Sequence, residues 1–248
     1  MRNICLLMFS AWLTQFGMVI NRVQMMKLHV FDSCPFCVRV KTFVGLKNID
    51  CEISPMTLGQ LPESLEGKLD RLTVPVLEQR QHDGKHTVMV ESLDIIGYLD
   101  QQDEPMFTRY EVSEALNNLL KRLYPSSAQL LYPRMPQLNL PELSTPDALS
   151  MFVESRKDAL GQSIEQALER TEEYLPELKQ LLEELDSLLD IDALVSGERK
   201  LNIDDIAAFS ELRNYTMVAE LEMSERMMSF VSFIASRSGM SLYPPISQ

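Results

Sequence analysis

The sequence has little cysteine and a shortage of positive charge. Four cysteines in 248 residues are too few for a disulfide scaffold, and their positions do not follow the ligand spacing of a zinc site. The 23 lysines and arginines stand against 36 aspartates and glutamates, so the chain carries a formal net charge of −13 and would repel polyphosphate. A basic cluster interleaved with aromatic residues is also missing, and we therefore predict that nucleic acid is not a partner.

The first 25 residues contain an apolar, uncharged segment from Ile4 to Ile20. A secretory signal would end in a small-x-small cleavage site, and residues 19–23 hold no such pattern. A membrane-spanning helix needs about 20 apolar residues, whereas this segment is shorter and is diluted by polar side chains. We interpret residues 1–25 as a leader outside the fold, with Met25 or Met26 as the start. This predicts a cytoplasmic protein without stable membrane association, and a secretory signal is the alternative.

The length and an apolar content of 45% suit two domains, each with its own core. Residues 26–104 mix strand-type and helix-type runs, whereas residues 109–248 are almost wholly helical in pattern, and the boundary is predicted within 102–107. In the helical half, acidic residues from Glu165 to Asp192 alternate with leucines at helical spacing. We interpret these acidic residues as solvated helix faces, not as a cation site.

The first half contains four strand-type runs and two helix-type runs. The predicted strands are Lys27–Phe31, Cys51–Ile53, Thr73–Leu77 and Thr87–Val90, with Asp83-Gly84 as the turn between the last two. One helix is predicted over residues 38–46, and Ser92 is the predicted N-cap of a second helix that reaches Leu99. The order β-α-β followed by β-β-α, with a crossover helix between parallel strands, is the thioredoxin arrangement.

The motif Cys34-Pro35-Phe36-Cys37 stands between the first predicted strand and the helix that follows it. Only a thiolate attacks a disulfide, and a free thiol with a pKa of about 8.5 is mostly protonated at neutral pH. At a helix N-terminus, unpaired amides would stabilise the Cys34 thiolate, and Arg39 and Lys41 would add positive charge. Cys37, one turn further on, would be less exposed and could reach a disulfide formed at Cys34. The motif therefore predicts redox chemistry.

Metal binding is the weaker interpretation of the same motif. Two cysteines fill only half of a tetrahedral zinc site, and the three histidines at positions 29, 82 and 86 do not flank the pair at ligand spacing. We therefore expect no metal. Cys51 lies in a predicted strand, where a free cysteine is usually a small buried hydrophobic residue.

Two further segments carry polar or proline signals. Pro75 has no backbone N–H to donate to a neighbouring strand. The strand that it opens should therefore pair on one side only, at a sheet edge or a special turn. Ser92 marks the N-terminus of a helix, which is a ready anion site, and the neighbouring Glu91 could hold an ammonium group. Taken without the other two motifs, these residue types favour an ordinary N-cap serine with an exposed glutamate.

Three segments resemble, in order and approximate spacing, motifs of glutaredoxins and of the thioredoxin-like half of glutathione transferases. They are Cys34-Pro35-Phe36-Cys37, Thr73-Val74-Pro75 and Glu91-Ser92. From Met26 onward the chain is similar to the bacterial glutaredoxin 2 family. The matching segments are Lys27-Leu28, Asp32-Ser33-Cys34-Pro35-Phe36-Cys37, Gly45-Leu46-Lys47-Asn48-Ile49, Asp204-Asp205-Ile206 and Leu212-Arg213-Asn214. Phe36 replaces the tyrosine common in glutaredoxin motifs, which removes a phenol but should leave the thiol chemistry intact.

The resemblance implies an α/β thioredoxin-like N-terminal domain plus an all-α C-terminal domain, the glutathione-transferase-like architecture. It implies a monomer that reduces protein disulfides and glutathionylated proteins, with glutathione as the reductant. Cys34 would be the nucleophile, and Cys37 would resolve a mixed disulfide formed with a protein dithiol. The implied glutathione-binding residues are Val74, a cis Pro75, Glu91 and Ser92.

Three alternatives stay open from the sequence. A glutathione transferase that conjugates electrophiles shares the fold, although its usual activating hydroxyl is replaced here by Cys34. A non-catalytic role would be that of a glutathione-ligated iron-sulfur carrier or of a membrane-associating module of the intracellular chloride-channel type. A periplasmic disulfide oxidant is the third alternative.

Overall fold

The computed structural model describes residues 25–80 and 85–248. The predicted turn at Asp83-Gly84, His82 and the leader up to residue 24 lie outside the described residues. The first strand already begins at Met25, so this residue belongs to the fold and not to the predicted leader.

Four strands form one mixed sheet in the order β2-β1-β3-β4. The strands are β1 Met25–Val30, β2 Glu52–Pro55, β3 Val76–Arg80 and β4 His86–Met89. Strand β1 pairs in parallel with β2, whereas β3 runs antiparallel to both β1 and β4. The crossover between the parallel strands and the closing hairpin confirm the predicted thioredoxin arrangement.

The third strand differs from its prediction in position and in pairing. It begins at Val76 and lies between β1 and β4, so the prediction that it pairs on one side only was wrong. Pro75 stands just before the first ladder residue, where its missing N–H interrupts no strand pairing. The Val74-Pro75 peptide bond is cis, as the resemblance implied.

Nine helices are present among the described residues. Two belong to the sheet half, α1 Pro35–Leu46 and α2 Ser92–Asp100. The others are α3 Glu114–Leu131, α4 Pro146–Leu160, α5 Ile164–Glu169, α6 Thr171–Leu188, α7 Ile191–Val195, α8 Ile203–Tyr215 and α9 Glu225–Ser238. Within residues 25–80 and 85–248, no helix combines the length and the apolarity that a bilayer crossing requires.

The leucine periodicity predicted most of the buried faces of α3 and α6, although Leu188 is 43% exposed. Buried leucines of α3 and α6 form one core with α8 and α9, and they are Leu116, Leu119, Leu123, Leu178, Leu181, Leu182 and Leu185. The predicted cap of α8 is also present. The Asn202 side chain accepts from the Asp205 amide at 3.1 Å, and the Asp205 carboxylate accepts from the Asn202 amide at 2.9 Å.

Helix α8 joins the two halves, because its residues enter both cores. Ile203 and Ile206 pack in the core of the sheet half, whereas Phe209 and Leu212 pack in the helical core. In the opposite direction, Val38 of α1 contributes to the helical core. The N-terminus of α1, which carries the two cysteines of the motif, is therefore packed directly against the helical half.

Gly45 permits a close approach between α1 and α9. A Cβ atom on Gly45 would collide with the backbone carbonyl of Ser238 at the end of α9. We expect Gly45→Ala to lower the free energy of unfolding by about 1–3 kcal/mol, since backbone has to move to relieve the overlap. Urea denaturation measures this loss. Gly97→Ala is the control, because its Cβ would meet only the Tyr110 ring, at 3.3 Å; equal losses in both variants would contradict the prediction.

Candidate active site

The strand register brings the three sequence motifs to one end of the sheet. It aligns one residue from each of three strands, namely Leu28, Leu77 and Met89. At the end of the sheet next to these three residues, β1 ends and the chain continues to Cys34, and β4 ends and the chain continues to Glu91. Strand β3 begins at the same end, directly after Pro75. Residues that lie far apart in the sequence therefore share one sheet end.

Cys34 occupies the N-cap position of α1, and Pro35 is the first helical residue. The Val38 amide donates to the Cys34 carbonyl at 2.9 Å, which closes the first turn. Cys34 is half-buried and Cys37 is fully buried, and both are free thiols. As predicted, the first cysteine is accessible and the second is shielded.

The two thiols differ in how readily they ionise. A hydrogen bond from the Cys37 side chain, helped by the amides of Cys37 and Phe36, lowers the pKa of the Cys34 thiol, although burial and the Glu211 charge oppose this. Burial and the adjacent Cys34 sulfur raise the pKa of Cys37 far above its ordinary value. Of the two thiols, Cys34 therefore ionises more readily, and Cys37 remains a protonated donor beside it.

The two cations predicted near Cys34 have different partners. Arg39 is buried, its guanidinium carbon lies 4.7 Å from the Phe36 ring centroid, and it interacts electrostatically with Cys34. Lys41 instead donates to Asp32 Oδ1 at 2.6 Å. Arg39 is therefore the cation placed to favour the thiolate, whereas the donors that lower the pKa of Cys34 belong to Cys37 and Phe36.

The residue pair before Cys34 is held by side chains of the helical half. Arg213 of α8 donates to the Asp32 carbonyl and to its carboxylate, each at 2.9 Å, and Tyr243 donates to the same carboxylate at 2.6 Å. Burial works to raise the pKa of Asp32, but Arg213 and Lys41 hold it well below its usual range. Asp32 is thus a permanent anion that ties the active-site loop to α8.

Glu142 fixes the same loop from a second direction. It lies in a 3₁₀ turn, Pro141–Leu143, and is almost fully buried. Its carboxylate accepts from the Asp32 amide at 3.0 Å, the Ser33 amide at 2.9 Å and the Ser33 hydroxyl at 2.7 Å. Three donors of the loop therefore depend on one acceptor residue from the helical half.

A cavity of about 520 Å³ opens beside Cys34, between α1 and the helices α3, α4 and α8. Glu211 of α8 is the one carboxylate residue in its lining, and among the described residues it forms no hydrogen bond or ion pair. Burial raises the pKa of Glu211 to about 7, against the opposing influence of Arg39. The charge next to Cys34 therefore changes near neutral pH.

We expect Glu211→Gln to lower the pKa of Cys34, because the substitution removes a negative charge that disfavours the thiolate. The difference from wild type should be largest above pH 7, where Glu211 is ionised, and should disappear below it, where the native carboxyl is protonated. The pH dependence of Cys34 alkylation by iodoacetamide measures this. Glu184→Gln on α6 is the control, and an unchanged Cys34 profile in Glu211→Gln would contradict the expectation.

Glu91 and Ser92 differ from their prediction in helix position. Ser92 was predicted to be the N-cap, but Glu91 occupies that position, and Ser92 is the first residue of α2. The Glu91 side chain forms no cap hydrogen bond and is exposed, and its φ is 66°, a value that favours glycine. Glutamate rarely adopts this conformation, whereas asparagine does so more readily, and outliers of the glutamate kind cluster at functional sites.

Cys51 is half-buried and precedes β2, so it is neither in the strand nor fully buried as predicted. Burial raises its pKa to about 11. Cys51 is therefore a poor nucleophile at neutral pH and takes no part in the site.

Sequence reasoning missed two helical-half residues at the site, Glu142, which holds the loop before Cys34, and Glu211, which lines the cavity beside it. The surroundings of Glu142 carry no motif, whereas Glu211 directly precedes the matching segment Leu212-Arg213-Asn214. The segment Leu212-Arg213-Asn214 was recognised for its resemblance only, yet Arg213 binds Asp32, and the Asn214 amide nitrogen donates to the Ser33 carbonyl at 2.8 Å. That resemblance, shared with Asp204-Asp205-Ile206 of the same helix, was the available signal for a function in α8.

A thioredoxin-like sheet half joined to a helical half, with a Cys-x-x-Cys pair of free thiols at the start of α1, defines a thiol-disulfide protein of the glutathione-transferase-like class. Residues 28–106 match the family model "Glutathione S-transferase, N-terminal domain", and residues 115–247 match "Glutaredoxin 2, C terminal domain". The chain belongs to the glutaredoxin 2 family. This membership confirms the expected enzyme class, a glutathione-dependent oxidoreductase.

Relatives of known identity match nearly the whole chain. Glutaredoxin 2 of Escherichia coli strain K12 is 30% identical over 217 residues, which are 88% of this chain and 97% of that protein. The crystal structure of glutaredoxin 2 from Salmonella typhimurium in complex with glutathione is 29% identical, with a TM-score of 0.75 over 88% of this chain and 96% of that one. A glutathione S-transferase of Ceriporiopsis subvermispora is 13% identical, with a TM-score of 0.59, over 86% and 97%; it shares the fold.

Proposed function

We propose that this chain reduces protein disulfides and mixed disulfides of glutathione through Cys34-Pro35-Phe36-Cys37. The observation that carries the proposal is the difference between the two thiols. The pKa of Cys34 is lowered by donors from Cys37 and the first turn of α1, whereas the pKa of the buried Cys37 is raised. A half-exposed thiolate with a protonated thiol behind it is suited to disulfide exchange.

In the proposed cycle, the Cys34 thiolate attacks one sulfur of the substrate disulfide, and the other sulfur leaves as a thiolate. With a glutathionylated substrate, the attack falls on the glutathione sulfur, and a second glutathione then regenerates Cys34 and releases glutathione disulfide. With a protein dithiol, Cys37 loses its proton and attacks the mixed disulfide, which gives a Cys34-Cys37 disulfide for glutathione to reduce.

We further propose that glutathione lies along the sheet end that also carries Cys34. Val74 would pair its backbone with the cysteinyl part, next to Pro75, while Glu91 and Ser92 would hold the γ-glutamyl end. The shared sheet end and the unusual φ of Glu91 support this arrangement. The glutathione complex of the Salmonella typhimurium relative supports the choice of ligand.

Glu91 offers a test of the binding site that separates charge from backbone conformation. Glu91→Gly should raise the free energy of unfolding by roughly 1 kcal/mol, because glycine relieves the positive φ. Both Glu91→Gly and Glu91→Gln should raise the KM for glutathione roughly two- to fivefold, since each loses the exposed carboxylate that would pair with the ammonium group.

The control for this test is Asn48→Gly, at a φ of 49° in the turn after α1. Its stability should also rise, but its KM for glutathione should stay at the wild-type value. Steady-state kinetics and urea denaturation provide the two measurements. An unchanged KM in both Glu91 variants would remove Glu91 from the proposed site.

The proposed function is tested by a glutathione-coupled assay on the full chain, with a glutathionylated peptide and a peptide disulfide as substrates. We expect reduction of both. Conjugation of glutathione to an aryl halide without any disulfide reduction would overturn the proposal in favour of a transferase. The domain limits 26–104 and 109–248, the cytoplasmic location and the monomeric state stay predictions.

A further inference from the structure

The cavity beside Cys34 extends away from the residues proposed for glutathione. Its lining comes from the start of α1 and from α3, α4 and α8, and it contains neither Val74 nor Glu91 nor Ser92. Cys34 therefore stands between the glutathione side and a separate space of about 520 Å³. That volume is suitable for a small molecule.

The cavity wall is rich in aromatic side chains. Phe36 and Tyr124 are 51% and 54% exposed, which leaves large apolar surfaces uncovered beside the thiol. Tyr132 and Phe152 form an edge-to-face pair with ring centroids 6.0 Å apart. Such a wall fits an apolar or aromatic ligand body.

Arg156 adds an unpaired positive charge to the same wall. Its guanidinium carbon lies 4.7 Å from the Tyr132 ring centroid and 4.9 Å from that of Phe152. The only acceptor of its guanidinium in the described part of the chain is the neighbouring Ser155 hydroxyl, at 3.4 Å from Nη1, and its Nε is buried without a partner. A buried N–H without an acceptor is costly, and an anionic ligand group would satisfy it.

The remaining charges of the lining also favour an anion. Lys121 lines the cavity and forms no ion pair with another described residue, and Arg39 is a buried residue of the same lining. Glu211 is the single opposing carboxylate residue, with its pKa raised by burial to about 7. The lining thus holds three cations and one carboxyl group that is partly protonated at neutral pH.

We propose that this cavity receives the non-glutathione half of a small mixed disulfide, and that this half is an aromatic thiol with a carboxylate bound by Arg156. The inference rests on the proposed function and names its substrate class. The Cys34 thiolate attacks the glutathione sulfur, the disulfide bond breaks, and the bonding electrons leave with the aromatic thiolate in the cavity. A second glutathione then displaces the first from Cys34, so the net reaction converts the mixed disulfide and glutathione into the aromatic thiol and glutathione disulfide.

The test compares two probes, the glutathione mixed disulfides of 4-mercaptobenzoate and of its uncharged carboxamide. We expect wild type to prefer the carboxylate probe about tenfold in kcat/KM, the effect of one hydrogen-bonded charge pair. Arg156→Gln should abolish the preference and Arg156→Lys should restore part of it, with thermal unfolding as the check on folding. Arg237→Gln is the matched control, because Arg237 also stacks on a phenylalanine, at 5.0 Å from Phe233, but lies outside the cavity lining.

Each outcome decides between the two proposals. Equal kcat/KM for both probes in wild type, or a preference that survives in Arg156→Gln, would overturn the cavity proposal while leaving glutathione-dependent reduction intact. If wild type reduced none of the three substrates, neither of the two probes and not the glutathionylated peptide, the proposed function itself would be overturned.

Discussion

Cys34→Ser is expected to abolish disulfide reduction, with kcat/KM lower by roughly three orders of magnitude or more, as for the loss of other catalytic nucleophiles. A serine hydroxyl at this position keeps the helix-capping geometry but does not ionise at neutral pH, so no nucleophile remains. Cys51 cannot substitute, because its pKa is raised to about 11 by burial. The measurement is the glutathione-coupled assay, and Cys51→Ser, with wild-type activity, is its control.

The second cysteine should separate two substrate classes. Cys37→Ser should keep much of the activity toward glutathionylated substrates, since these need only Cys34, and lose reduction of protein dithiols, which need a resolving thiol. Equal activity of Cys37→Ser toward both substrates would show that Cys37 is not the resolving residue.

A comparison of Cys37→Ser with Cys37→Ala isolates the hydrogen bond to Cys34. The serine hydroxyl can still donate to the Cys34 thiolate, whereas alanine cannot, so the pKa of Cys34 should be higher in Cys37→Ala. Alkylation rates across a pH series give both values. Identical pKa values in the two variants would mean that the amides of α1, and not the Cys37 side chain, stabilise the thiolate.

The second large effect is expected from Glu142→Ala, although Glu142 touches neither cysteine. The variant leaves two backbone amides and one hydroxyl of the loop at Asp32 and Ser33 without their acceptor. Each buried donor left unsatisfied costs about 1–3 kcal/mol, and these three donors are only partly buried, so the loss in the free energy of unfolding should be roughly 3–5 kcal/mol. Urea denaturation at neutral pH measures it.

Controls for Glu142 separate loop anchoring from charge removal. Glu142→Gln keeps one carbonyl oxygen as an acceptor and should lose distinctly less stability than alanine. Glu184→Ala removes an exposed carboxylate that pairs with both terminal nitrogens of Arg122, at 2.6 and 2.9 Å, and should cost less than about 1 kcal/mol. A loss no larger in Glu142→Ala than in Glu184→Ala would contradict the anchoring role.

The activity of these variants tests whether the helical half positions the nucleophile. Cys34 directly follows the anchored residues, so a loosened loop should lower kcat/KM in Glu142→Ala under conditions where the protein remains folded. The pKa of Cys34 should change little, because its stabilising donors belong to α1. A stability loss with wild-type kcat/KM would limit Glu142 to a structural role.

Helix and strand types were predictable because they depend on local patterns. The leucine periodicity of α3 and α6 and the cap of α8 are encoded within a few residues, and the structure contains them. The errors concern relations beyond that range. The β3 strand was predicted to pair on one side because a proline precedes it, yet it lies inside the sheet, since Pro75 stays outside the ladder.

The sequence by itself determined the reactive motif, because a cysteine followed by proline at a helix start is a local arrangement. Only the tertiary structure decided what surrounds that cysteine. Glu142 lies 109 positions from Ser33 and Arg213 lies 181 positions from Asp32, so their contacts exist only after the two halves have packed. The same packing brings Glu211 and Arg156 to the cavity beside Cys34. The local sequence thus determines the cysteine motif. The charges around Cys34 and the cavity beside it arise from contacts between distant segments.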